Sequence, residues 1–219
     1  MNKQTTAPAA NNDVVADLLA KTVRFYKQHQ SRVLIALAGL VVVIVGVTLL
    51  VNHRKQVTEN AWATYYTAQV ALLNEGQEEG FKQLDALTDT YKNTAAAQYA
   101  QLLKGDILYS QENFAQAAEV YKDLVGASNQ TVATVAALSR AAALQAAQDY
   151  PASIDVIKTF IDKNSKSFAL PQAYLTLAMS QELAGNKEAA VEAYKYLLEN
   201  HTKTYFGTLA KDKISQLQK

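Results

Sequence analysis

A run of twenty residues without a charged side chain, VLIALAGLVVVIVGVTLLVN, occupies positions 33–52 near the start of the chain. As a helix that rises ~1.5 Å per residue, it is about 30 Å long, which is the thickness of the hydrocarbon core of a bilayer. Its apolar residues point in all directions, which favours lipid on every side over burial in a protein core. Because backbone polar groups find no water in a bilayer, the run must be helical there. The pattern predicts one transmembrane helix over 33–52.

A cleaved signal peptide is the main alternative interpretation of this run. The apolar region of a signal peptide usually has about 7–15 residues, so it is shorter than this run. An Ala61-x-Ala63 pattern is present, but it lies beyond the charged residues that follow the run. We therefore favour an uncleaved anchor.

Basic residues are unevenly distributed around the predicted span. Four precede it within about fifteen positions: Lys21, Arg24, Lys27 and Arg32. Only Arg54 and Lys55 follow it within the same distance. The flank richer in Lys and Arg stays in the cytoplasm, where its charges can contact anionic lipid headgroups. The four preceding charges predict a cytoplasmic leader at 1–32 and an exported domain at 53–219. The first dozen residues of the leader, MNKQTTAPAANN, are small and polar, which predicts disorder there.

Beyond the span the pattern changes to pairs of amphipathic helices that repeat. Three segments superpose: Gln98–Leu124, Thr134–Phe160 and Pro171–Leu197. Their polar turns fall 36 and then 37 residues apart, at Glu112-Asn113, Gln148-Asp149 and Gly185-Asn186. Small residues take one equivalent position before each turn: Gly105, Ala141 and Ala178. Large residues take another position after it: Tyr121, Ile157 and Tyr194. Small residues let two helices approach, and large ones fill the space to the next pair, so the repeats predict one stacked structure.

A degenerate copy precedes these three segments, and a single helix follows them. Residues 60–74 and 81–91 have the helical pattern of the extra copy, and Phe81 lies 33 residues before Phe114. The last helical pattern, over 204–218, suits a helix that covers the exposed end of a stack. We predict an all-α domain with repeats at about 60–94, 98–130, 134–166 and 171–202, followed by a capping helix at 204–218.

The order of a small residue, a turn, an aromatic residue, a second small residue and a large residue resembles the tetratricopeptide repeat. The resemblance implies an α-solenoid of three clear plus one degenerate helical hairpins, whose first helices line a groove that binds proteins. The sequence departs from the family in places. The early position, which the family fills with Trp or another aromatic residue, holds Gln101, Ala137 and, in the third repeat, Tyr174. The terminal proline position holds Asn129, Ser165 and Thr202, and Lys187 in the third repeat replaces the aromatic residue that Phe114 and Tyr150 supply in the others.

The same resemblance assigns the groove residue by residue. The first clear repeat contributes Tyr99, Leu102, Asp106 and Tyr109. The second contributes Val135, Leu138, Ala142 and Gln145, and the third contributes Gln172, Leu175, Met179 and Glu182. The carboxylate clamp known in this family uses Lys, Arg and Asn at these positions, and this chain lacks them. An extended or helical peptide with apolar side chains is therefore the expected ligand.

The layout of a short leader, one membrane helix and an Ala- and Tyr-rich repeat domain also resembles the YfgM-type ancillary subunits of the SecYEG translocon. The resemblance implies a single-pass protein of the bacterial inner membrane, with a cytoplasmic N-terminus and a periplasmic repeat domain. It implies a role near the protein-export machinery, with chaperones or exported clients as partners. A scaffold subunit of a cell-envelope complex, for division, wall synthesis or outer-membrane assembly, is the alternative function.

Composition narrows the remaining function classes. Residues 1–55 have 7 basic and 2 acidic side chains, whereas residues 56–219 have 14 basic and 18 acidic ones. Nucleic acid is not an expected partner of this mildly acidic domain, because phosphate contacts need clustered Lys and Arg. The chain has no cysteine, its three histidines lie in separate regions, and no phosphate-binding or nucleophile motif occurs. We predict no catalytic, cofactor or metal site, no small-molecule substrate and no enzyme activity.

Overall fold

The computed structural model describes the backbone of residues 10–218 and the side chains of residues 14–218. These residues form ten α-helices and no strand, which confirms the predicted all-α class. The helices are α1 (Ala10–Gln28), α2 (Gln30–Asn74), α3 (Gln77–Thr90), α4 (Ala95–Ser110), α5 (Phe114–Lys122), α6 (Gln130–Ala146), α7 (Tyr150–Lys163), α8 (Leu170–Leu183), α9 (Lys187–Asn200) and α10 (Tyr205–Leu217). The disorder predicted for the first dozen residues falls mostly outside the described residues, and residues 10–12 lie in α1.

The chain divides into two compact units, residues 1–56 and residues 57–219. The first unit contains α1 and the amino-terminal part of α2. Within the part of the chain that the structure describes, α2 is the one helix long and apolar enough to cross a membrane, and none of its most apolar stretch is buried. Such exposure differs from that of a core helix in a soluble protein, whose apolar residues are covered by other elements.

The second unit is a stack of helical hairpins. The carboxyl-terminal part of α2 pairs with α3, α4 with α5, α6 with α7 and α8 with α9, while α10 packs on α9 and α8. The first helices of neighbouring hairpins also touch, α4 against α6 and α6 against α8. Within the described residues, α5, α7 and α9 contact only first helices or α10. The first helices therefore form an inner layer and the second helices an outer layer, as the resemblance implied.

The turns and helix starts follow from local sequence. The residues Glu112, Gln148 and Gly185 occupy equivalent turn positions and have φ of 61°, 63° and 81°. This left-handed conformation is easy for glycine and costs other residues ~1 kcal/mol or more. Side-chain oxygens of Thr94 and Asn129 accept hydrogen bonds from the first backbone N–H groups of α4 and α6, which caps those helices.

The core is built across hairpins and not within them. One cluster joins α2, α3 and α4, a second joins α4, α5 and α6, and a third extends from α6 to α10. The large residues of the repeat pattern lie at its centre, because Tyr121, Ile157 and Tyr194 are each 0–1% exposed. Since every cluster contains side chains from more than one hairpin, no hairpin is stable by itself.

A chain of hydrogen bonds crosses the core between the second and third clear repeats. The Ser153 hydroxyl donates to the Ala141 carbonyl oxygen at 2.8 Å, and the hydroxyl oxygens of Ser153 and Ser180 lie 2.9 Å apart. The amide nitrogen of Gln145 donates to the Ser180 hydroxyl oxygen at 2.9 Å. Because the Ser153 proton is used on the carbonyl, Ser180 must donate to Ser153. Both serines are fully buried, so neither has water as an alternative partner.

We expect Ser180→Ala to lower the free energy of unfolding by about 1–3 kcal/mol, because it removes the hydrogen bonds that Gln145 and Ser153 make with the Ser180 hydroxyl inside the core. The double variant Ser153→Ala/Ser180→Ala removes both hydroxyls, so its loss should be smaller than the sum of the two single losses. Urea unfolding followed by far-UV circular dichroism measures the free energy of unfolding of Ser153→Ala, Ser180→Ala and the double variant. Additive losses would show that the two hydroxyls do not interact.

Candidate functional site

The predicted groove residues lie on the first helices, and they differ in how much solvent they meet. Six are exposed: Tyr99, Asp106, Tyr109, Val135, Gln172 and Met179. Four are half-buried: Leu138, Ala142, Gln145 and Glu182. The remaining two, Leu102 and Leu175, are each 7% exposed and belong to the hydrophobic core clusters. The exposed and half-buried side chains are therefore accessible to a partner, while Leu102 and Leu175 pack in the core beneath them.

Two further exposed residues extend this set into the degenerate repeat. Tyr66 and Leu73 are 67% and 84% exposed, and they lie 33 residues before Tyr99 and Asp106. The repeat pattern did not predict them, although the same spacing of 33 residues separates Phe81 from Phe114. We call the exposed members together the inner surface: Tyr66, Leu73, Tyr99, Asp106, Tyr109, Val135, Gln172 and Met179. Its apolar side chains come from all four hairpins.

Aromatic contacts fix the position of two inner-surface residues. The Trp62 ring on α2 lies 5.7 Å from the Tyr99 ring, centroid to centroid, and 5.6 Å from the Tyr65 ring. The Tyr109 ring meets the Phe114 ring edge-on at 5.1 Å. Such pairs restrict the rings to one orientation, so a partner would meet preorganised aromatic side chains.

A hollow of about 300 Å³ opens between α4 and α6, and it is lined by Asp106, Tyr109, Tyr121, Ser139 and Ala142. The buried Tyr121 hydroxyl donates to the Asp106 Oδ1 atom at 2.6 Å. Because Asp106 is itself exposed, its carboxylate can also accept a hydrogen bond from a ligand. The hollow combines an aromatic wall with a negative charge, an arrangement that suits a Lys, Arg or hydroxyl side chain.

Glu182 plays a different part at the other end of the stack. Its carboxylate accepts a hydrogen bond from the Tyr194 hydroxyl at 2.9 Å and forms an ion pair with Lys213 at 2.8 Å. Lys213 lies on α10, and the two charged side chains are 30% and 27% exposed for Lys213 and Glu182, respectively. Glu182 therefore connects α8 with both α9 and the capping helix, which leaves less of it available to a partner.

The two buried tyrosines predict a loss of stability at alkaline pH. Burial and the hydrogen bonds to Asp106 and Glu182 raise the pKa of both Tyr121 and Tyr194 well above the usual value. The folded state thus keeps protons that the unfolded chain releases above pH ~10. The two protonated tyrosines make their full contribution to the free energy of unfolding below pH ~10. Above that pH the contribution falls, by up to about 1.4 kcal/mol per pH unit for each tyrosine.

This effect is measured by urea unfolding at a series of pH values above ~9. Tyr121→Phe and Tyr194→Phe should each give a shallower decline than the unchanged chain, because phenylalanine has no proton to retain. Lysines also titrate in this range, and the comparison with the phenylalanine variants removes their contribution. Identical slopes in all three chains would contradict the expected role of the two hydroxyls.

No group of three or more His, Cys, Asp and Glu side chains is arranged to hold a metal ion within the described part of the chain. The predicted lack of catalytic and cofactor sites stays a prediction. Asp106 is the one charged member of the inner surface among the described residues, and the charge of nearby Glu182 is balanced by Lys213, so the potential of the inner surface favours a neutral or basic ligand.

A protein family and some solved structures are similar to this chain. A family profile described as a tetratricopeptide repeat-like domain matches residues 23–159. No curated protein sequence matches the chain. Among solved structures, the MamA RS-1 ArsTM double mutant has 16% identity and a TM-score of 0.49 over 72% of this chain and 94% of that chain. MamA 41-end from Desulfovibrio magneticus RS-1 has 15% identity and a TM-score of 0.49 over 72% of this chain and 93% of that chain.

Proposed function

Because the chain belongs to the family of tetratricopeptide repeat-like domains, we propose that it is a protein–protein interaction adaptor whose inner surface binds polypeptide segments. Domains of this family bind protein partners, so the general role follows from membership. The groove, the class of ligand and the cellular setting are the specific parts of the proposal.

The observation that carries the proposal is the recurrence of exposed apolar and aromatic side chains at the groove positions, on the first helices of all four hairpins. Exposed apolar patches commonly mark protein–protein interaction sites. Tyrosine and methionine suit a ligand that varies, because one offers an amphipathic ring and the other an adaptable thioether. The expected ligand is a peptide with apolar side chains, and a Lys or Arg side chain would fit the hollow at Asp106.

Membrane attachment is the second part of the proposal. Residues 33–52 cross the bacterial inner membrane, the leader 1–32 is cytoplasmic and the domain 53–219 is periplasmic. The four basic residues before the span and the exposure of its apolar side chains support this arrangement. Attachment would raise the effective concentration of the inner surface near other membrane proteins.

The absence of cysteine makes the orientation directly testable. Single variants Gln116→Cys and Ala20→Cys place a thiol on exposed residues of the domain and the leader, respectively. A membrane-impermeant maleimide added to spheroplasts should label only Gln116→Cys, and both should react after lysis. Labelling of Ala20→Cys alone in intact spheroplasts would reverse the orientation.

The proposed site of action is the Sec export machinery, where emerging chains pass to periplasmic chaperones. Its support is the resemblance in layout to the YfgM-type subunits. A photo-crosslinking amino acid at Tyr109 should capture export components or many transient clients, whereas the same amino acid at Gln116, on an outer helix, should not. Capture of one stoichiometric envelope subunit would support the alternative function as a scaffold. Equal products from both positions would count against the inner surface as the binding site.

A further inference from the structure

The helix α1, next to the proposed span, has an apolar face that nothing in the described chain covers. Seven large side chains of this helix are 41–61% exposed: Val14, Val15, Leu18, Leu19, Val23, Phe25 and Tyr26. None of them belongs to a core cluster. With about 100° of rotation per residue, they occupy two adjacent rows that cover about half of the helix surface.

Basic residues border this apolar face. Lys21 lies one turn before Phe25 at one edge, and Lys27 lies one turn after Val23 at the other edge. Arg24 lies between them on the polar side. Asp17, in the first half of the helix, pairs with Lys21 at 2.8 Å. The half nearest the span contains Lys21, Arg24 and Lys27 and no acidic residue. Lysines at the edges of an apolar face can extend their stems along it and keep the ammonium group at the headgroups.

The junction of α1 with α2 has a related feature. A hollow of about 400 Å³ is lined by Phe25, His29, Arg32, Val33 and Ala36. Its walls are mainly apolar and Arg32 lies among them, so it combines an acyl-compatible lining with a partner for a phosphate. His29 lies between the end of α1 at Gln28 and the start of α2 at Gln30. Its N–H donates to the Phe25 carbonyl oxygen at 3.0 Å, and its carbonyl oxygen accepts from the Val33 N–H at 2.9 Å.

We propose that α1 is an interfacial helix, whose apolar face is immersed in the membrane leaflet beside the span and whose lysine edges bind anionic phospholipid headgroups. An amphipathic helix with bulky apolar residues on one face and Lys or Arg on the other buries its apolar face about 5–10 Å into the boundary between lipid headgroups and acyl chains. The anionic leaflet attracts basic residues that lie close to its surface. This inference rests on the proposal that 33–52 cross the membrane, and the partner is the lipid surface itself.

The test uses the full chain with single cysteines carrying a nitroxide, in nanodiscs of phosphatidylcholine mixed with phosphatidylglycerol. Leu18→Cys reports on the apolar face, Ala20→Cys on the polar face and Val42→Cys on the span. The nitroxide at Leu18 should be more accessible to oxygen than to a water-soluble nickel chelate, and the one at Ala20 should show the reverse. The nitroxide at Val42 should be the most lipid-exposed of the three.

The charge requirement has its own comparison. In nanodiscs of phosphatidylcholine alone, the immersed fraction at Leu18 should fall several-fold. In the anionic nanodiscs, the double variant Lys21→Gln/Lys27→Gln should lower the immersed fraction at Leu18 to a similar extent. The matched control Asp17→Asn, which removes a negative charge from the same helix, should leave that fraction unchanged. An unchanged immersed fraction in the lysine variant would overturn the proposed headgroup contacts.

Two other results would overturn the inference. If Leu18 and Ala20 are equally accessible to the chelate while Val42 is in lipid, the anchor stands and α1 is not interfacial. If Leu18 excludes the chelate and shows dipolar broadening between nitroxides, while Ala20 stays accessible to the chelate, a second copy of the chain covers the apolar face. A chelate-accessible Val42 would instead refute the membrane span, so failure of the two proposals can be distinguished.

Discussion

Replacement of Gly105 by alanine should lower the free energy of unfolding by about 2 kcal/mol, although alanine favours helices. A Cβ atom at this position would lie 2.5 Å from the Tyr121 Cε1 atom and 2.8 Å from its Cζ atom. Tyr121 is 1% exposed and packs in the core cluster of α4, α5 and α6, so a shift of its ring would disturb that packing. Displacement would also break the hydrogen bond from its hydroxyl to Asp106. Urea unfolding followed by circular dichroism measures the loss.

The matched control is Gly126→Ala, because a Cβ atom there meets nothing within 4 Å. Its free energy of unfolding should change by less than about 0.5 kcal/mol. A second comparison gives the first clear repeat the residues of the next one, which has Ala141 and Ile157 at the positions equivalent to Gly105 and Tyr121. In a chain that already contains Tyr121→Ile, Gly105→Ala should lower the free energy of unfolding much less than it does in the unchanged chain. An equal cost in both backgrounds would show that the Tyr121 ring is not the cause.

The third clear repeat explains why glycine is needed at only one of the equivalent positions. Ala178 and Tyr194 take the equivalent positions there, and both are fully buried in one core cluster. The Tyr194 hydroxyl bonds to Glu182, one helical turn beyond Ala178, whereas the Tyr121 hydroxyl bonds to Asp106, the residue next to Gly105. The nearer carboxylate holds the tyrosine ring over the helix backbone at Gly105, where a methyl group would collide with it.

Simultaneous change of three inner-surface residues should weaken ligand binding by about 100-fold or more, since truncation of each hot-spot side chain commonly costs above ~1 kcal/mol. The variant is Tyr109→Ser/Val135→Ser/Met179→Ser, with one change in each clear repeat. These side chains are 37–40% exposed, so their loss should affect binding more than folding. The measurement is affinity for the partner captured by crosslinking, with circular dichroism as the check on folding.

The control for this variant removes exposed aromatic residues elsewhere. Phe168 and Tyr205 are 85% and 72% exposed, and they lie in the connection before α8 and at the start of α10. Phe168→Ser/Tyr205→Ser removes a comparable apolar area without altering the inner surface. Its affinity should remain within about threefold of the unchanged chain. Equal losses in both variants would argue for non-specific apolar binding.

Much of the fold could be predicted because its signals are local. The spacing of apolar residues gives each helix, and the equivalent small and large positions give the pairing of helices within a hairpin. The site was less predictable. Position alone assigned Leu102 and Leu175 to the groove, but both are nearly covered by neighbouring helices. Tyr66 and Leu73 were missed because the first repeat departs from the pattern of the others.

The sequence by itself determined the helical class, the repeat and the long apolar helix, since each depends on periodicity within a few turns. Only the tertiary structure decided which polar side chains meet. Glu182 and Lys213 are 31 residues apart, and Ser153 and Ser180 are 27 apart. Pairs such as these depend on the angle and distance between packed helices. Those are set by the side chains that fill the space between hairpins, which helical periodicity along one segment does not specify.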